Sequence, residues 1–331
     1  MMEIGTKEGW REFVDAAYEK PVPATVAQLR AMAPADRSLY NQIRARYSQA
    51  GAFVKTPQYA EFQKAVRRRV YLNEHRQVGK FGLILSGEPG QGKTTTLLQI
   101  GKEHELRRRL VAQSSALDGA IPVVYVAVPA QSSARALLLE FVRFFGLPAR
   151  RGVLYNELVE MVANAMQRCR TELVLVDDIH HLDLKYRANL EASDMLKQLS
   201  ERCGSTFVYA GIAVQDTGML TGAREGQIRK RFKLYDATPF SITTKQGRSD
   251  WGNLLLALED SLCLLAQESG RILTAAKALY RLSGGEIGPL KDMLQLAALE
   301  AIEDGTEALD LREFDKELQR QQFAKQALQS G

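Results

Sequence analysis

The octet GEPGQGKT at residues 87–94 follows the apolar run FGLILS and precedes the helical stretch TTLLQIGKEHEL. The pattern GxxxxGK[ST] is weak by itself, but a buried strand before it and a helix after it predict a phosphate-binding loop. Glycines allow a tight turn that brings backbone N–H groups close to phosphate oxygens, and the helix N-terminus favours negative charge. We therefore expect a bound nucleoside triphosphate, with a chance glycine turn as the alternative.

The octet and the residue after it supply the predicted contacts to the nucleotide. Lys93 is expected to reach the β- and γ-phosphates, and the Thr94 hydroxyl to bind Mg²⁺. The cofactors implied are ATP and Mg²⁺. The predicted cofactor-binding residues of this loop are Gly87, Glu88, Pro89, Gly90, Gln91, Gly92, Lys93, Thr94 and Thr95.

A second motif, LVLVDD at residues 173–178, supplies the acidic partner of the loop. Four apolar residues end in two carboxylates, so Asp177 is expected to hold Mg²⁺ through its water shell. Asp178 is expected to orient or deprotonate the attacking water, which makes it the predicted catalytic carboxylate. Two adjacent carboxylates at the end of a buried strand are unfavourable unless a cation compensates them. A solvated turn is the alternative.

The pattern of apolar residues on either side of these motifs predicts an α/β fold. Short apolar runs at 81–85, 123–128, 173–176 and 206–212 alternate with helical stretches, which indicates a parallel sheet covered on both faces. Before and after this region the spacing is helical. We therefore expect three parts: a helical N-terminal region (1–80), the nucleotide-binding core (81–240) and a C-terminal helical lid (241–331).

Composition excludes several other classes of protein. The chain has 331 residues, 45% of them hydrophobic, and three cysteines without a CxxC pair, so neither a disulfide framework nor a zinc site is expected. Neither a signal peptide nor an apolar run of membrane-spanning length is found, so we expect a cytoplasmic protein without membrane contact. Residues 1–80 contain 14 basic and 8 acidic residues, whereas 250–331 contain 8 basic and 14 acidic. The basic part could face a polyanion.

Together, GEPGQGKT and VLVDDIHHL resemble the motifs of AAA+ ATPases, which are P-loop NTPases with a parallel sheet core and a helical lid. The second carboxylate of that family is more often Glu, and Asp178 departs from the pattern. The resemblance implies an arginine finger acting on a neighbouring subunit, for which Arg231 is favoured over Arg229; a basic helix end is the alternative. It also implies a lid residue that senses the phosphate. Lys291 is its candidate, with an ordinary exposed lysine as the alternative.

The sensor that follows the fourth strand in that family has no clear counterpart here. This sensor is normally a small polar residue, but FVYAGIAVQD offers Gly211 near that place and a longer polar side chain only at Gln215. His180 and His181 follow the acidic strand without metal-binding spacing, so they are expected to be packing or polar helix-start residues. The resemblance therefore leaves the identity of this sensor open.

Flanking segments bring the resemblance closer to the TniB/TnsC family of transposition regulators, over roughly residues 35–315. These segments include RSLYNQIRARYSQAGAFVKTPQY, LKQLSERCGSTFVYAGI and SGGEIGPLKDMLQLAALEAIEDG. The resemblance implies an ATP-dependent homo-oligomer, either a ring or a helical filament. It would bind duplex DNA and recruit an integrase-type transposase, with hydrolysis controlling disassembly. A helicase loader or replication-initiation ATPase is one alternative, and a signalling or defence NTPase switch without DNA binding is another.

Contacts to DNA are expected from clusters of arginine. The candidates are Arg150 and Arg151, which fall between the second and third strands where a ring could line its channel, and the runs at 67–69 and 107–109. A solvated helix face is the alternative for each run.

Overall fold

A computed structural model describes residues 3–76, 79–111, 119–148, 152–182, 190–214 and 231–329 of the chain, without the side chains of 190–194, 197 and 321–329. The chain divides into two units. We call residues 1–16 and 58–237 the core unit, and residues 17–57 and 238–331 the helical unit.

Five parallel strands form the sheet of the core unit, in the order β2-β3-β4-β1-β5. The strands are β1 (Gly82–Ser86), β2 (Val123–Ala127), β3 (Leu173–Asp177), β4 (Thr206–Gly211) and β5 (Phe232–Asp236). All five residues of β1 and of β3 are buried, as expected for strands with helices on both faces. The predicted α/β fold with a parallel sheet core is confirmed.

Twelve α-helices lie among the described residues. They are α1 (Lys7–Asp15), α2 (Val26–Ala31), α3 (Pro34–Arg46), α4 (Pro57–Glu74), α5 (Lys93–Val111), α6 (Ala134–Phe145), α7 (Tyr155–Arg168), α8 (Leu190–Cys203), α9 (Lys245–Ser261), α10 (Ala276–Ser283), α11 (Ile287–Glu303) and α12 (Leu311–Gln329). Their ends follow local rules: Ser133 caps α6 by accepting a hydrogen bond from Ala136 N, and Gly146 ends it in a left-handed conformation. Thr244 caps α9 in the same way. No helix within the described ranges is long and apolar enough to cross a membrane.

The N-terminal region expected over residues 1–80 is divided between the two units. Helix α1 packs on α5 of the core unit, and Phe62 of α4 makes an edge-on ring contact with Tyr235 of β5. Residues 17–57 instead belong with the C-terminal helices. The helical spacing of the sequence reveals an apolar face but not the surface that the face covers, so the boundary at residue 80 differs from the observed division.

A buried ion pair joins the two sequence segments of the helical unit. Arg44 of α3 is fully buried and donates to both oxygens of Glu307, at 2.5 Å from Nη1 to Oε2 and 2.6 Å from Nη2 to Oε1. Leu265 N donates to the same carboxylate at 3.3 Å. The apolar core of this unit includes Trp251, Leu255, Leu279, Leu290 and Leu294.

Candidate nucleotide site

The phosphate loop connects the end of β1 to the start of α5. Gly90 and Gly92 have φ angles of 80° and 72°, in the left-handed region that favours glycine. At Gly87 a Cβ atom would lie 2.4 Å from the carbonyl oxygen of Ala237, so only glycine fits there. The sequence therefore places its glycines where the turn requires them, and Glu88, Pro89 and Thr95 are exposed on the outside of the loop and the first helical turn.

Lys93 is the first residue of α5 and is buried. Its ammonium group reaches back across the loop and donates to the carbonyl oxygen of Glu88 at 2.7 Å. Burial lowers the pKa of Lys93, and the nearby carboxylates of Asp177 and Asp178 oppose that decrease. The ammonium group thus lies between the loop and the acidic strand end; its predicted contact with the β- and γ-phosphates stays a prediction.

Asp177 lies at the last position of β3 and is only 1% exposed. The Thr94 hydroxyl lies close enough to this carboxylate to affect its pKa, so the two predicted metal ligands are neighbours. Burial raises the pKa of the Asp177 carboxyl; the Thr94 hydroxyl opposes the increase and the charge of Asp178 adds to it. A hydroxyl and a carboxylate supply the oxygen ligands that a divalent cation prefers. The residues present therefore suit Mg²⁺.

Asp178 begins the short 3₁₀ turn Ile179–His181 with a φ angle of 53°. This left-handed conformation is uncommon outside glycine, although aspartate adopts it more often than most residues, and strained backbone of this kind clusters at functional sites. In the same turn, the imidazole Nδ1 of His181 is paired with Val128 O at 2.9 Å. His180 Nδ1 is buried, with no hydrogen-bond partner among the described residues. The predicted packing role therefore fits His181 better than His180.

Gly211 ends β4 beside the loop, where the sensor of the fourth strand was expected. Its carbonyl oxygen accepts a hydrogen bond from Gly87 N at 3.2 Å. A Cβ atom at Gly211 would lie 2.9 Å from Ile179 Cγ2 and 3.2 Å from His180 N, so the acidic turn leaves no room for a side chain. The other candidate, Gln215, lies outside the described residues.

Of the two candidate arginine fingers, Arg231 immediately precedes β5, and its guanidinium pairs with Glu201 of α8. Arg229 lies outside the described residues. In the helical unit, Lys291 is half-buried rather than freely exposed, and it donates to the backbone oxygen of Gln49 at 3.2 Å. Burial lowers the pKa of Lys291.

The arginine runs differ in whether their side chains pair with carboxylates. Arg108 pairs with Glu172, and Arg109 with Asp15 and Glu105. By contrast, Arg67 and Arg68 are exposed on α4. Arg150 and Arg151 lie outside the described residues.

Two further residues of the site belong to neither sequence motif. Ser86, the last residue of β1, is buried, and its hydroxyl accepts a hydrogen bond from Val214 N at 3.0 Å. Tyr125 of β2 donates from its hydroxyl to Asp177 Oδ2 at 3.2 Å. Tyrosine in a strand buried on both faces is a signal that the sequence offered, because a buried phenol usually has a hydrogen-bond partner.

Comparisons with known proteins agree with this geometry. The sequence profile of the AAA domain matches residues 77–214. The fold is similar to that of Cdc6p from Pyrobaculum aerophilum (16% identity, TM-score 0.55, covering 82% of this chain and 70% of that one). It is also similar to the Aeropyrum pernix proteins ORC1, solved in complex with DNA (15%, 0.58, 83% and 69%), and ORC2, solved as ADPNP-ADP complexes (17%, 0.60, 83% and 71%). No curated protein matches the chain.

Proposed function

We propose that the chain is an ATP-dependent, DNA-binding regulator of DNA transposition. The observation that carries the ATP-dependent part is that the buried Lys93 folds back onto the loop next to Asp177, with the Thr94 hydroxyl nearby, because this assembles a phosphate contact and a metal site in one place. Lys93 contacts the β- and γ-phosphates, and Thr94 and Asp177 hold Mg²⁺. Bound Mg²⁺ neutralises charge that develops on the transferred phosphoryl group.

Hydrolysis depends on Asp178, which orients the attacking water or accepts its proton. Aspartate is one methylene shorter than the glutamate that AAA+ proteins more often carry, so its reach toward that water is shorter. Slow turnover follows, because misplacement of a catalytic group by about 1 Å can lower a rate on the order of a hundredfold. Slow hydrolysis suits a switch whose ATP-bound state persists until a partner or DNA stimulates it.

Assembly into a homo-oligomer, ring or filament, completes each site with an arginine from the next subunit. Arg231 is the favoured finger and Arg229 the second candidate. Arg231 acts in this way only if its ion pair with Glu201 opens on assembly. Lys291 acts as the phosphate sensor only if it releases the Gln49 carbonyl oxygen.

Duplex DNA is bound through phosphate contacts that do not read sequence. Arg67 and Arg68 support this role because both are exposed and basic, whereas Arg108 and Arg109 are already neutralised by carboxylates. Arg150 and Arg151 remain candidates for a channel. The similar fold of ORC1, which was solved in complex with DNA, is a further support.

The link to transposition rests on the resemblance of the flanking segments to TniB/TnsC proteins. The partner it implies is an integrase-type transposase, which the DNA-bound assembly recruits or activates. In this scheme, ATP stabilises the assembly on its target and hydrolysis releases it.

Electron microscopy of the purified chain with duplex DNA and a non-hydrolysable ATP analogue tests the proposal. We expect ordered oligomers when both ligands are present. Lys93→Ala should lower nucleotide affinity by about a hundredfold or more and abolish assembly. Monomers under every condition would overturn the assembly, and equal nucleotide affinity in wild type and Lys93→Ala would overturn the phosphate-loop assignment.

A matched pair of charge reversals tests the DNA surface. Arg67→Glu/Arg68→Glu should weaken duplex binding and make it less sensitive to salt, by about one unit of slope for each phosphate that the protein no longer neutralises. The control is Lys316→Glu/Arg320→Glu, the same change at two exposed residues that already pair with Glu313. An equal decrease in affinity in both variants would mean that net charge, and not the α4 surface, governs binding.

Replication initiation is the second candidate function, favoured by the similar folds of Cdc6p and ORC1. An affinity purification separates the two: a transposase retained with ATP supports the first proposal, and a replicative helicase supports the second. A switch without DNA contact predicts no salt-sensitive retention on duplex at all.

A further inference from the structure

Tyr125 connects the acidic strand end to the N-terminal helix. Ala127 of β2 pairs with Asp177 of β3, so Tyr125, two residues earlier, lies on the same face of the sheet as Asp177. Its hydroxyl donates to Asp177 Oδ2 at 3.2 Å, and the residue is 5% exposed. Burial, reinforced by the Asp177 carboxylate, raises the pKa of Tyr125, so the hydroxyl remains a donor at neutral pH.

Both oxygens of Asp177 have a fixed donor. Oδ2 accepts from Tyr125, and Oδ1 accepts from the backbone N–H of Asp178 at 2.9 Å. Two donors on opposite oxygens restrict rotation of the carboxylate about its last torsion. Each oxygen keeps further acceptor capacity, because an ionised carboxylate has about four lone-pair sites. The carboxylate is therefore oriented and still able to bind the water shell of a metal ion.

Trp10 of α1 holds the Tyr125 ring in place. The two rings are stacked with centroids 6.2 Å apart and planes 13° apart. The indole Nε1 donates to Glu105 Oε2 of α5 at 2.5 Å, and Trp10 is 1% exposed. At Gly101 of α5 a Cβ atom would lie 2.7 Å from both the indole ring and Leu175 Cδ1, so the helix has a glycine where these two side chains need space. Glycine inside a helix is unfavourable by roughly 1 kcal/mol relative to alanine, and the contacts of Trp10 and Leu175 account for it.

We propose that Tyr125 is a positioning residue that orients the Asp177 carboxylate toward Mg²⁺, and that Trp10 holds Tyr125 in this role. The inference rests on the proposed nucleotide site. The N-terminal helix α1, which precedes the phosphate loop by some 70 residues of sequence, thereby contributes to metal binding without touching the metal. Hydrogen-bond partners of metal ligands affect metal affinity by about 10–100-fold when removed.

Tyr125→Phe in the full chain is the test, with Tyr209→Phe as the matched control. Tyr209 lies in β4, is fully buried, and its hydroxyl has no hydrogen-bond partner in the described part of the chain. Both variants delete one buried phenolic oxygen from the same sheet. Mn²⁺ binding to the ADP complex, followed by electron paramagnetic resonance, reports metal affinity independently of turnover, and nucleotide affinity in EDTA reports the phosphate loop.

For Tyr125→Phe we expect the dissociation constant of Mn²⁺ to rise about tenfold, with metal-free nucleotide affinity unchanged and kcat recovered at saturating Mg²⁺. Tyr209→Phe should leave the Mn²⁺ dissociation constant, the metal-free nucleotide affinity and kcat at wild-type values. Trp10→Leu, which removes the stacked ring, should raise the metal dissociation constant by a smaller factor. Urea unfolding of each variant separates a decrease in stability from a decrease in metal affinity.

The outcomes are distinguishable. Wild-type metal affinity in Tyr125→Phe would overturn the positioning role. An equal decrease in metal affinity in Tyr209→Phe would also overturn it. A Trp10→Leu variant with wild-type metal affinity overturns the contribution of α1 alone. If the wild-type chain itself binds neither nucleotide nor metal, the proposed function fails and this inference fails with it.

Discussion

Glu307 in the helical unit and Asp177 in the core unit are both carboxylates with 1% relative exposure, but their partners differ. Glu307 receives two charge-assisted hydrogen bonds from the buried guanidinium of Arg44 and a third from a backbone N–H. Asp177 receives one bond from the hydroxyl of Tyr125 and one from the backbone N–H of Asp178, both of them neutral donors.

The difference indicates what each carboxylate does. A buried charge paired within the protein contributes to the packing of its own unit, and removing one partner leaves an uncompensated charge. A buried carboxylate whose hydrogen-bond donors are neutral retains attraction for a divalent cation, although the nearby Lys93 ammonium compensates part of its charge. Glu307 and Asp177 are equally buried, so burial alone does not distinguish their roles. The charge of their hydrogen-bond donors does.

Breaking the ion pair should have the largest effect on stability. Arg44→Ala leaves the Glu307 carboxylate buried and unpaired, and we expect the helical unit to be destabilised by about 3–5 kcal/mol. Hydrogen–deuterium exchange resolved by peptide measures this change separately for the two units. Faster exchange in α9 and α11, with the sheet of the core unit unchanged, is the expected pattern.

The double variant Arg44→Leu/Glu307→Leu provides the control for the ion pair. Removing both charges should recover much of the stability, because no unpaired charge remains. If the single and double variants are destabilised by the same amount, packing and not charge pairing explains the role of Arg44.

Asp178→Asn should have the next largest effect, and only on the rate. Without a base to orient water, hydrolysis should slow by about a hundredfold or more, which corresponds to about 2.7 kcal/mol of activation free energy. Nucleotide affinity should remain near the wild-type value because Lys93, Thr94 and Asp177 are intact. Single-turnover hydrolysis and fluorescent-nucleotide titration measure the two quantities; a change in affinity alone would contradict the catalytic role.

Asp177→Asn tests the comparison of the two carboxylates most directly. Its expected effect on stability is smaller than that of Arg44→Ala and opposite in sign. Asparagine can accept the N–H of Asp178 and donate to Tyr125, so the hydrogen bonds are kept while the buried charge is removed. We expect the nucleotide-free core unit to gain about 0.5–2 kcal/mol at neutral pH and to lose metal binding. Urea unfolding in EDTA measures the gain. A decrease in stability would mean that Asp177 is already compensated within the protein.

The stability gained by Asp177→Asn should change with pH in one direction. Burial raises the pKa of the Asp177 carboxyl above its unfolded value, so the protonated form is favoured in the folded state. The stability that the protonated Asp177 carboxyl gives the folded state is fully present below the unfolded pKa. It is lost as the pH rises through the folded pKa, because the buried carboxyl then becomes charged. The advantage of Asp177→Asn should therefore shrink as the pH is lowered toward the unfolded pKa and be largest at neutral pH.

Much of the fold could be predicted because its signals are local. Strands buried on both faces are continuous apolar runs, and the loop at 87–94 requires glycine where the backbone is left-handed. The position of Asp177 followed from the end of such a run. The roles assigned to Asp178, Arg231 and Lys291 remain predictions, since they concern a bound nucleotide or a second subunit.

The remaining features depend on contacts between residues far apart in sequence. The assignment of α1 and α4 to the core unit is decided by which surfaces their apolar faces cover, and spacing alone does not encode that. Tyr125 reaches Asp177 across 52 residues of sequence through the register of two strands. The exclusion of a side chain at Gly211 depends on the turn that Asp178 begins.

The long sequence separation within the Arg44–Glu307 pair has a consequence during synthesis. The two residues are 263 positions apart, and the sheet of the core unit is encoded between them. At about 5–20 residues per second, a ribosome needs roughly 13–50 s to add Glu307 after Arg44. For that interval the arginine can bond to Asn41 Oδ1 but lacks its carboxylate partner, while the sheet can already form on the nascent chain. The helical unit is thus completed after the core unit, although its first helices leave the exit tunnel early.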